Sequence, residues 1–461
     1  MVFSSLLFLI KFLPMVFLIY FIAPKKFKNL ILLLFSLLFY FVGEQKLVLL
    51  MLFSATVNFI IGLLIDKIIS NKFKKLLLFF DIAFNLMLLG HFKYIDLLIE
   101  TINNIFNTSF DLLKITLPIG ISFYTFQTMS YVIDIYREKY KPSKNIINFY
   151  LYVTFFPQLI AGPIVRYEDI MNEIEDRKVS VDTLRYGIIL FILGLSKKVL
   201  ISNSLAEVTK LYLNITEHTL VMSWINAICV PLQIYTDFSG YSDMAVGLGK
   251  MFGFNFPKNF DFPFISKSVT EFWRRWHITL GSWFRDYVYI PLGGNKVKVF
   301  RHIINILIVW FLTGLWHGAS YNFIIWGLYY GILLIFEKYF YGKRLSKHKI
   351  WSHVYLVIAT ILGFEIFSAS DMSEIVTNVS LLFGFGTSRF SDVMTKYYFR
   401  SNFILIIISI IVSTPLIKNI IGRNKENFLV DLICILLFIL CIAYLVDGSY
   451  NPFLYVSVKN F

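Results

Sequence analysis

The chain has 461 residues, of which 57% are hydrophobic and only 16% are charged, and its formal net charge is +14. Soluble domains carry about 25% charged residues, and a soluble chain of this length forms two or three domains. The charges here are too few to cover that many water-exposed surfaces, which favours an integral membrane protein. Lys and Arg stand in short clusters between apolar runs, so membrane topology and contacts with anionic lipids explain the charge better than nucleic-acid binding.

Apolar runs begin near the amino terminus and continue through the chain. The first run lacks the basic start and the small-residue cleavage site of a signal peptide, so we expect it to remain as a helix. A bilayer-spanning helix needs about 20 apolar residues. The candidate spans are Leu6–Ala23, Leu30–Val42, Leu47–Ile65, Leu76–Phe92, Ile115–Ile135, Tyr150–Ile164, Tyr186–Ile201, Leu220–Tyr235, Ile303–Trp316, Phe323–Phe336, Val354–Phe367, Phe403–Ile417 and Leu429–Val446. Because several are short, roughly 10–12 crossings with additional re-entrant segments are predicted.

Basic residues in the short connections predict the orientation. Three clusters follow the first, third and fifth runs: Lys25, Lys26 and Lys28; Lys67, Lys72, Lys74 and Lys75; Arg137, Lys139, Lys141 and Lys144. These clusters fall on one side of the membrane if the chain starts outside, and the connections between them are poor in Lys and Arg. The positive-inside rule therefore predicts an extracytoplasmic amino terminus.

Residues 249–300 break the pattern of apolar spans. This segment mixes eight Lys and Arg residues with Phe and Trp, and its only acids are Asp261, Glu271 and Asp286. Aromatic side chains beside Arg and Lys mark a membrane interface, so the segment predicts interfacial and re-entrant helices on the cytoplasmic side. Since neither a repeat nor a polar linker is visible, residues 1–461 are predicted to form a single membrane domain.

Two of the seven histidines lie in dense local patterns. His277 ends the sequence FWRRWH, and His317 lies in GLWHGA directly after the apolar run Ile303–Trp316. A polar side chain at membrane depth is costly unless it faces the protein interior, which makes His317 a functional candidate. Imidazole is the side chain best suited to move a proton near neutral pH. Catalysis and a buried structural hydrogen bond are both compatible with these residues.

Other polar residues also interrupt apolar sequence. Asp237 and Ser239 follow a span in the sequence YTDFSGYSD, where they line a functional site or, alternatively, cap a helix and form an ion pair at the interface. Gln158 follows Pro157 inside another span, where a broken helix lines a cavity or is simply kinked. The three cysteines stand in apolar sequence without a metal-ligand pattern, so neither a disulfide framework nor a metal site is expected.

Five motifs together are specific. They are PQLIAGPIVR (157–166), YTDFSGYSDMAVGLGKM (235–251), SKSVTEFWRRWH (266–277), WFRDYVYIPLGGN (283–295) and LTGLWHGA (312–319), and the sequence NPFLY at 451–455 fits the same pattern. With these motifs the chain strongly resembles the membrane-bound O-acyltransferase family, in its bacterial alginate O-acetylation branch. The resemblance implies an all-α integral membrane fold of many helices around a central tunnel, located in the bacterial plasma membrane.

The resemblance also implies roles for individual residues. The family's invariant histidine corresponds to His317, on a catalytic helix within residues 301–320, and its second important histidine corresponds to His277. The implied reaction is acyl transfer from a thioester to a hydroxyl, with His317 as base or proton shuttle and His277 orienting the substrate or protonating the leaving thiolate. A covalent acyl-histidine is a further route. The remaining candidates for contacts with substrate or tunnel are Trp316, Trp273, Trp276, Asp237, Ser239 and Gln158.

The basic segment suits a phosphate-bearing donor. Acetyl-CoA is the expected acyl donor, as a substrate and not as a bound cofactor. The candidates for contacts with its phosphates are Arg274, Arg275, Arg285 and Lys267. Anchoring to lipid headgroups is the alternative for each of these four residues. The resemblance further implies a secreted or membrane-anchored SGNH-type O-acetyltransferase as partner, which completes the transfer onto a polysaccharide.

Two other functions fit parts of the sequence. D-alanyl transfer from a carrier protein to a wall polymer is one, although the run YIPLGGN (289–295) resembles the alginate branch more closely and favours acetyl transfer. A non-enzymatic transporter of an acyl group or polymer is the other, because broken helices and polar residues near the membrane centre are typical of transporters. A transporter should tolerate loss of His317, and an enzyme should not.

Overall fold

The computed structural model describes residues 1–345, 347–423 and 428–448, and within these ranges every regular element is a helix. Helices follow from the apolar composition, because a helix satisfies its backbone hydrogen bonds internally where lipid offers no partner. The all-α class predicted from the sequence is confirmed. The motif at 451–455 lies outside the described residues.

The described chain forms two compact units. The first comprises residues 1–191 and 242–257, and the second comprises residues 192–241 and the described residues from 258 onward. The first unit contains α1 (Leu13–Ile22), α2 (Lys28–Glu44), α3 (Leu47–Lys67), α4 (Asn71–Leu89), α5 (Ile95–Phe106), α6 (Ile121–Tyr136), α7 (Ile146–Thr154), α8 (Phe156–Leu159), α9 (Tyr167–Glu175) and most of α10 (Val181–Ser196). π-helical turns at Leu7–Phe12 and Gly90–Tyr94 extend α1 and α4.

The second unit contains the end of α10, most of α12 and all later helices. These are α11 (Asn203–Leu213), α12 (Leu220–Met251), α13 (Val269–Arg275), α14 (Ile278–Phe284), α15 (Val299–His317), α16 (Tyr321–Phe336), α17 (Gly342–Leu345), α18 (Lys349–Ser368), α19 (Met372–Leu382), α20 (Val393–Val412), α21 (Leu416–Arg423) and α22 (Phe428–Val446). The segment 249–300 therefore divides between the units at residue 257, and its second part folds into two helices of only seven residues each, α13 and α14.

Nine helices among the described residues are long and apolar enough to cross a membrane. They are Lys25–Glu44, Leu47–Lys67, Asn71–Phe106, Val181–Leu213, Val299–His317, Tyr321–Tyr341, Lys349–Ser368, Val393–Val412 and Phe428–Val446. Leu7–Ile22 is a shorter apolar helix. The multi-pass membrane character predicted from the composition is confirmed, and the central tunnel stays a prediction.

Four predicted spans differ from the helices observed: Ile115–Ile135 is helical only from Ile121, the run Phe403–Ile417 is interrupted between Val412 and Leu416, and the other two differ more. The run Tyr150–Ile164 is not one helix, because α7 ends at Thr154 and the four-residue α8 is followed by irregular chain up to Tyr167. Pro157 lacks a backbone donor, which disfavours a continuous helix here. The run Leu220–Tyr235 is instead longer than predicted, because α12 continues for 32 residues to Met251 with Pro231 inside it.

Glycines bring the backbones of α15 and α16 into direct contact. A Cβ atom on Gly314 would lie 2.3 Å from the carbonyl oxygen of Phe323, and one on Gly327 would lie 2.3 Å from the carbonyl oxygen of Trp310. Only glycine leaves room for this approach, which is common between membrane helices. The contact fixes the end of α15, where His317 lies, against the start of α16.

Candidate active site

His277 lies at the junction of the two short helices of the second unit. Its backbone is left-handed, with φ 44° and ψ 53°, and this turn separates α13 from α14. At the other end of α13 the buried carboxylate of Glu337 accepts hydrogen bonds from the backbone N–H groups of Val269 (2.6 Å) and Thr270 (2.9 Å) and from the Thr270 hydroxyl (2.5 Å). Glu337 thus fixes the amino-terminal end of α13, and His277 follows the carboxyl-terminal end of the same helix.

The imidazole of His277 is held by Asn259. Its Nδ1 atom lies 3.1 Å from the side-chain oxygen of Asn259, which also accepts hydrogen bonds from the backbone N–H (3.3 Å) and the hydroxyl (2.8 Å) of Thr279. Because Asn259 Oδ1 is an acceptor, the proton of the neutral ring sits on Nδ1. The Nε2 atom of His277 is therefore the basic nitrogen, and it has no hydrogen-bond partner among the described residues.

Burial sets the charge of this histidine. The side chain is 2% exposed and lies in the second unit outside the nine candidate spans. Burial lowers the pKa of His277 to about 3, because removing the ring from water penalises its charged form. The ring is neutral at pH 7 and can accept a hydrogen bond at Nε2.

His317 is the last residue of α15 and is half-buried. Aromatic rings surround its imidazole at nearly perpendicular angles: Trp326 at 4.8 Å, Phe367 at 5.3 Å and Trp316 at 5.1 Å between centroids. The edges of α16 and α18 thus form an apolar frame around this ring. Such a frame restricts water near the imidazole.

Trp316 connects the two histidines. Its indole is 3% exposed and lies 5.5 Å from the ring of His277 and 5.1 Å from the ring of His317. The two imidazoles that the sequence singled out from separate motifs therefore contact one shared ring. This convergence is the strongest geometric feature of the second unit.

The other two predicted tryptophans belong to the same aromatic cluster. Trp273 packs against Trp310 (4.7 Å), Tyr330 (4.8 Å) and Trp326 (5.4 Å). Trp276 packs against Phe364 at 5.1 Å. The structure therefore brings together Trp273, Trp276, Trp316 and both histidines.

Asp237 and Ser239 lie on α12 beside this cluster. Asp237 forms a buried ion pair with Lys198, so the ion pairing considered from the sequence is what the structure contains. The residue between them, Phe238, contacts His277 edge-to-face at 4.8 Å. Ser239 is buried, and its hydroxyl has no hydrogen-bond partner within the described part of the chain. The ion pair of Asp237 thus fixes α12, and α12 supplies Phe238, which contacts His277.

Gln158 is buried in the first unit, where its side-chain amide donates to the carbonyl of Tyr152. It therefore does not belong to the unit that contains both histidines. Its position at the end of the broken helix α8 agrees with the interruption predicted there.

The four candidate phosphate-binding residues fall into two pairs. Arg275 is engaged by Glu271 at 3.0 Å and Asp261 at 3.4 Å, and Arg285 is engaged by Asp286 at 2.7 Å. Partial burial acts to raise the pKa of Asp261. The hydrogen bond and charge of Lys258, together with the charge of Arg275, outweigh burial, so the pKa of Asp261 is lowered and the side chain stays ionised. Arg285 is exposed like Arg274 and Lys267, but Arg274 and Lys267 form no ion pair among the described residues.

Several residues of the site were missed in the sequence. Asn259 and Thr279 fix the tautomer of His277, Glu337 holds α13, and Trp326 and Phe367 frame His317. Asn259 lies in an irregular stretch where no periodicity reveals which way a side chain points. The only available signal was its place within the basic aromatic segment.

The comparisons with known proteins agree with the motifs. A model of the membrane-bound O-acyltransferase family matches residues 141–369, which include both histidines. The chain is 35% identical to Probable alginate O-acetylase AlgI of Pseudomonas putida, over 99% of each chain. The chain belongs to the membrane-bound O-acyltransferase family.

Two further matches complete the comparison. The chain is 35% identical to Peptidoglycan O-acetyltransferase of Helicobacter pylori, over 77% of this chain and 71% of that relative. It is 28% identical to Teichoic acid D-alanyltransferase of Bacillus subtilis, over 54% of this chain and 68% of that relative. As a member of this family the chain is a membrane acyltransferase, as the sequence predicted.

Proposed function

We propose that this acyltransferase takes an acetyl group from a cytoplasmic thioester, such as acetyl-CoA, and passes it across the membrane for O-acetylation of a cell-surface or exported polysaccharide. The observation that carries the catalytic assignment is the single indole of Trp316 in contact with both imidazoles. The names of the two relatives at 35% identity, an alginate O-acetylase and a peptidoglycan O-acetyltransferase, support acetyl transfer to a polysaccharide. The identity to the D-alanyltransferase is lower, which disfavours that alternative.

In the proposed reaction an acceptor hydroxyl oxygen attacks the carbonyl carbon of the thioester. The hydroxyl proton passes to His317, and collapse of the tetrahedral intermediate breaks the C–S bond. The proton then returns to the departing thiolate, so that the products are an ester and a thiol. His277 is neutral with its proton on Nδ1, so it orients a hydroxyl that donates a hydrogen bond to Nε2. This favours the orienting role over protonation of the leaving thiolate.

The donor is proposed to bind at the basic end of the second unit. Arg274 and Lys267 are exposed and carry positive charge that phosphate oxygens can contact. Arg275 is engaged by Glu271 and Asp261 and holds the segment, and Arg285 is paired with its neighbour Asp286. This division makes Arg274 and Lys267 the better candidates among the four predicted from the sequence.

The acceptor side is proposed to require a partner. We place the chain in the bacterial plasma membrane with its amino terminus outside, as the basic clusters predict. A secreted or membrane-anchored SGNH-type O-acetyltransferase then receives the acetyl group and completes the transfer onto the polysaccharide.

Replacing His317 tests the proposal directly. Wild type and His317→Ala would be purified in lipid nanodiscs and given labelled acetyl-CoA, and O-acetylation of the polymer would be measured in cells. Loss of a general base lowers the rate by about 10²–10⁴-fold, and His348→Ala, in an exposed basic stretch, is the matched control. Polymer acetylation at the wild-type level by His317→Ala would refute the catalytic assignment. Failure of the wild type to take label from acetyl-CoA would refute the proposed donor.

A further inference from the structure

The first unit contains a cluster of buried polar side chains that the proposed chemistry does not use. It lies where α3, α4 and α6 meet, and each member is at most 1% exposed: Ser54, Asn58, Asp81, Asn85, Thr125 and Thr128. Both α3 and α4 belong to candidate membrane spans. The cluster precedes residues 141–369, which the family model matches.

Two asparagines form the centre of this cluster. Asn85 Nδ2 donates to Asn58 Oδ1 at 3.1 Å and to the backbone carbonyl of Asp81 at 2.9 Å. Asn58 Nδ2 donates to the backbone carbonyl of Ser54 at 2.8 Å, and the hydroxyl of Thr128 lies 3.5 Å from Asn85 Oδ1. The amides thus tie the three helices together and present side-chain oxygens within the membrane domain.

Asp81 lies one helical turn before Asn85 and is 0% exposed. Neither of its carboxyl oxygens has a hydrogen-bond partner among the described residues, and the same holds for the hydroxyl of Ser54. A carboxylate is expensive to bury without compensation, and an ionisable residue inside a membrane span is a functional candidate for that reason. The side-chain amide of Asn85 is the polar neighbour that favours the charged carboxylate, and no cationic side chain is paired with Asp81 among the described residues.

The charges that could compensate Asp81 are engaged elsewhere or lie at helix ends. Lys74 pairs with Glu138 at 3.5 Å, Lys139 pairs with Asp134 at 3.0 Å, and the buried ammonium of Lys93 donates to the hydroxyl of Ser122 at 3.1 Å. No ion pair of Asp81 occurs within the described ranges. The other titratable side chains of α3, α4 with its π-helical turn, and α6 are Asp66, Lys67, Lys72, Lys75, His91, Tyr94, Tyr124, Tyr131 and Tyr136.

We propose that Asp81, with Asn58 and Asn85, forms a site for a monovalent cation, either a sodium ion or a proton. A single positive charge neutralises the carboxylate in both cases. Carboxylate, amide and hydroxyl oxygens are the ligands that hard cations prefer, and the cluster offers all three kinds. Such a site stabilises the packing of α3, α4 and α6 and is separate from the acyl-transfer chemistry.

Binding of radioactive sodium tests the proposal. Purified wild type, Asp81→Asn and the control Asp66→Asn, which removes an exposed acid from the end of α3, would be equilibrated with ²²Na⁺ at pH 8 in choline chloride. The sodium form of the proposal predicts uptake by wild type and the control, with loss in Asp81→Asn. Asn is nearly isosteric with Asp and removes the charge alone.

The thermal midpoint of unfolding, measured between pH 5 and 9, shows whether the bound cation is a proton and not sodium. If no sodium binds, the wild type and Asp66→Asn should still change midpoint with pH, and Asp81→Asn should differ from them by about 3 °C or more. Absence of sodium uptake together with the same pH response in wild type and Asp81→Asn overturns the proposal.

A second measurement uses the wild-type chain, so that the proposal can be tested even if Asp81→Asn does not fold. Dicyclohexylcarbodiimide reacts with carboxyl groups in apolar surroundings, and mass spectrometry of the peptide that contains Asp81 reports the reaction. Sodium or raised pH should slow modification of Asp81 several-fold. A rate that responds to neither also overturns the proposal.

Discussion

Two buried histidines of the second unit, His302 and His277, differ in how their ring nitrogens are used. His302 lies near the start of α15 and is 3% exposed, and its two nitrogens contact the hydroxyls of Tyr289 (2.7 Å) and Tyr339 (2.5 Å). His277 is equally buried, but only Nδ1 is engaged, by Asn259. Burial alone therefore does not separate the two.

The difference lies in hydrogen bonding. A neutral imidazole has one donor and one acceptor, and the two tyrosines satisfy both in His302. In His277 the acceptor nitrogen, Nε2, has no hydrogen-bond partner among the described residues. The ring lies beside Trp316, the sequence neighbour of His317. Buried polar groups normally have hydrogen-bond partners, so we expect a substrate group to bind to Nε2 of His277. We therefore propose a structural role for His302 and a chemical role for His277.

The largest expected effect comes from removing each histidine in turn. His277→Ala should lower acetyl transfer by about 10²–10⁴-fold if its Nε2 acts on the reacting hydroxyl. His302→Ala should leave the turnover number within about threefold of wild type and instead destabilise the protein by about 1–3 kcal/mol, because two tyrosine hydroxyls lose their partner. Steady-state kinetics and thermal unfolding of both variants measure this. Equal losses of activity in the two would break the comparison.

A smaller effect is expected at Asn259, which acts through His277. Asn259→Ala removes the acceptor for Nδ1–H and should lower the turnover number roughly 10- to 100-fold, because the ring is no longer oriented. Asn259→Asp keeps an acceptor and should recover part of this activity. Its new charge would raise the pKa of His277, so the acid limb of the pH–rate profile should move to higher pH. An unchanged profile in Asn259→Asp would show that His277 does not titrate in the reaction.

The same contrast between engaged and available groups applies to the arginines. Arg274→Gln should raise KM for acetyl-CoA about three- to tenfold, because an exposed cation is removed from the proposed phosphate site. Arg275→Gln breaks contacts with Glu271 and Asp261 and should affect thermal stability more than KM. Initial-rate measurements over a range of donor concentrations separate the two. A larger KM effect in Arg275→Gln would reverse the assignment.

The last effect concerns stability and pH. The pKa of His277 in the folded chain is about 3, below the ordinary value of about 6.5, so the unfolded chain binds this proton first on acidification. Stability from the neutral ring is complete above pH 6.5 and is lost as pH falls toward 3, by at most about 1.4 kcal/mol per pH unit. His277→Gln should therefore show a shallower decline of the thermal midpoint between pH 6.5 and 4. Parallel curves would contradict the neutral, buried state.

The sequence allowed prediction of the residues that carry a motif but not of their partners. His317 and Trp316 could be predicted because a long apolar run ends in Trp-His-Gly. A run of that length is expected to cross the membrane, which places both residues near membrane depth. Asn259 could not be predicted, because the irregular chain around it has no periodicity and its contact with His277 depends on a left-handed turn 18 residues later. Likewise, Gln158 shares a motif with the family but lies in the other unit.

The glycine contact between α15 and α16 has a mechanical consequence. Two helices that touch backbone to backbone at Gly314 and Gly327 cannot part to admit a lipid chain between them without losing that packing. They move as a single rigid wall, and His317 at its end moves with it. The helix α13 packs on the same wall through Trp273, which contacts Trp310 and Trp326, and Glu337 holds its amino-terminal end, so His277 at its other end is positioned relative to His317 by one continuous set of contacts.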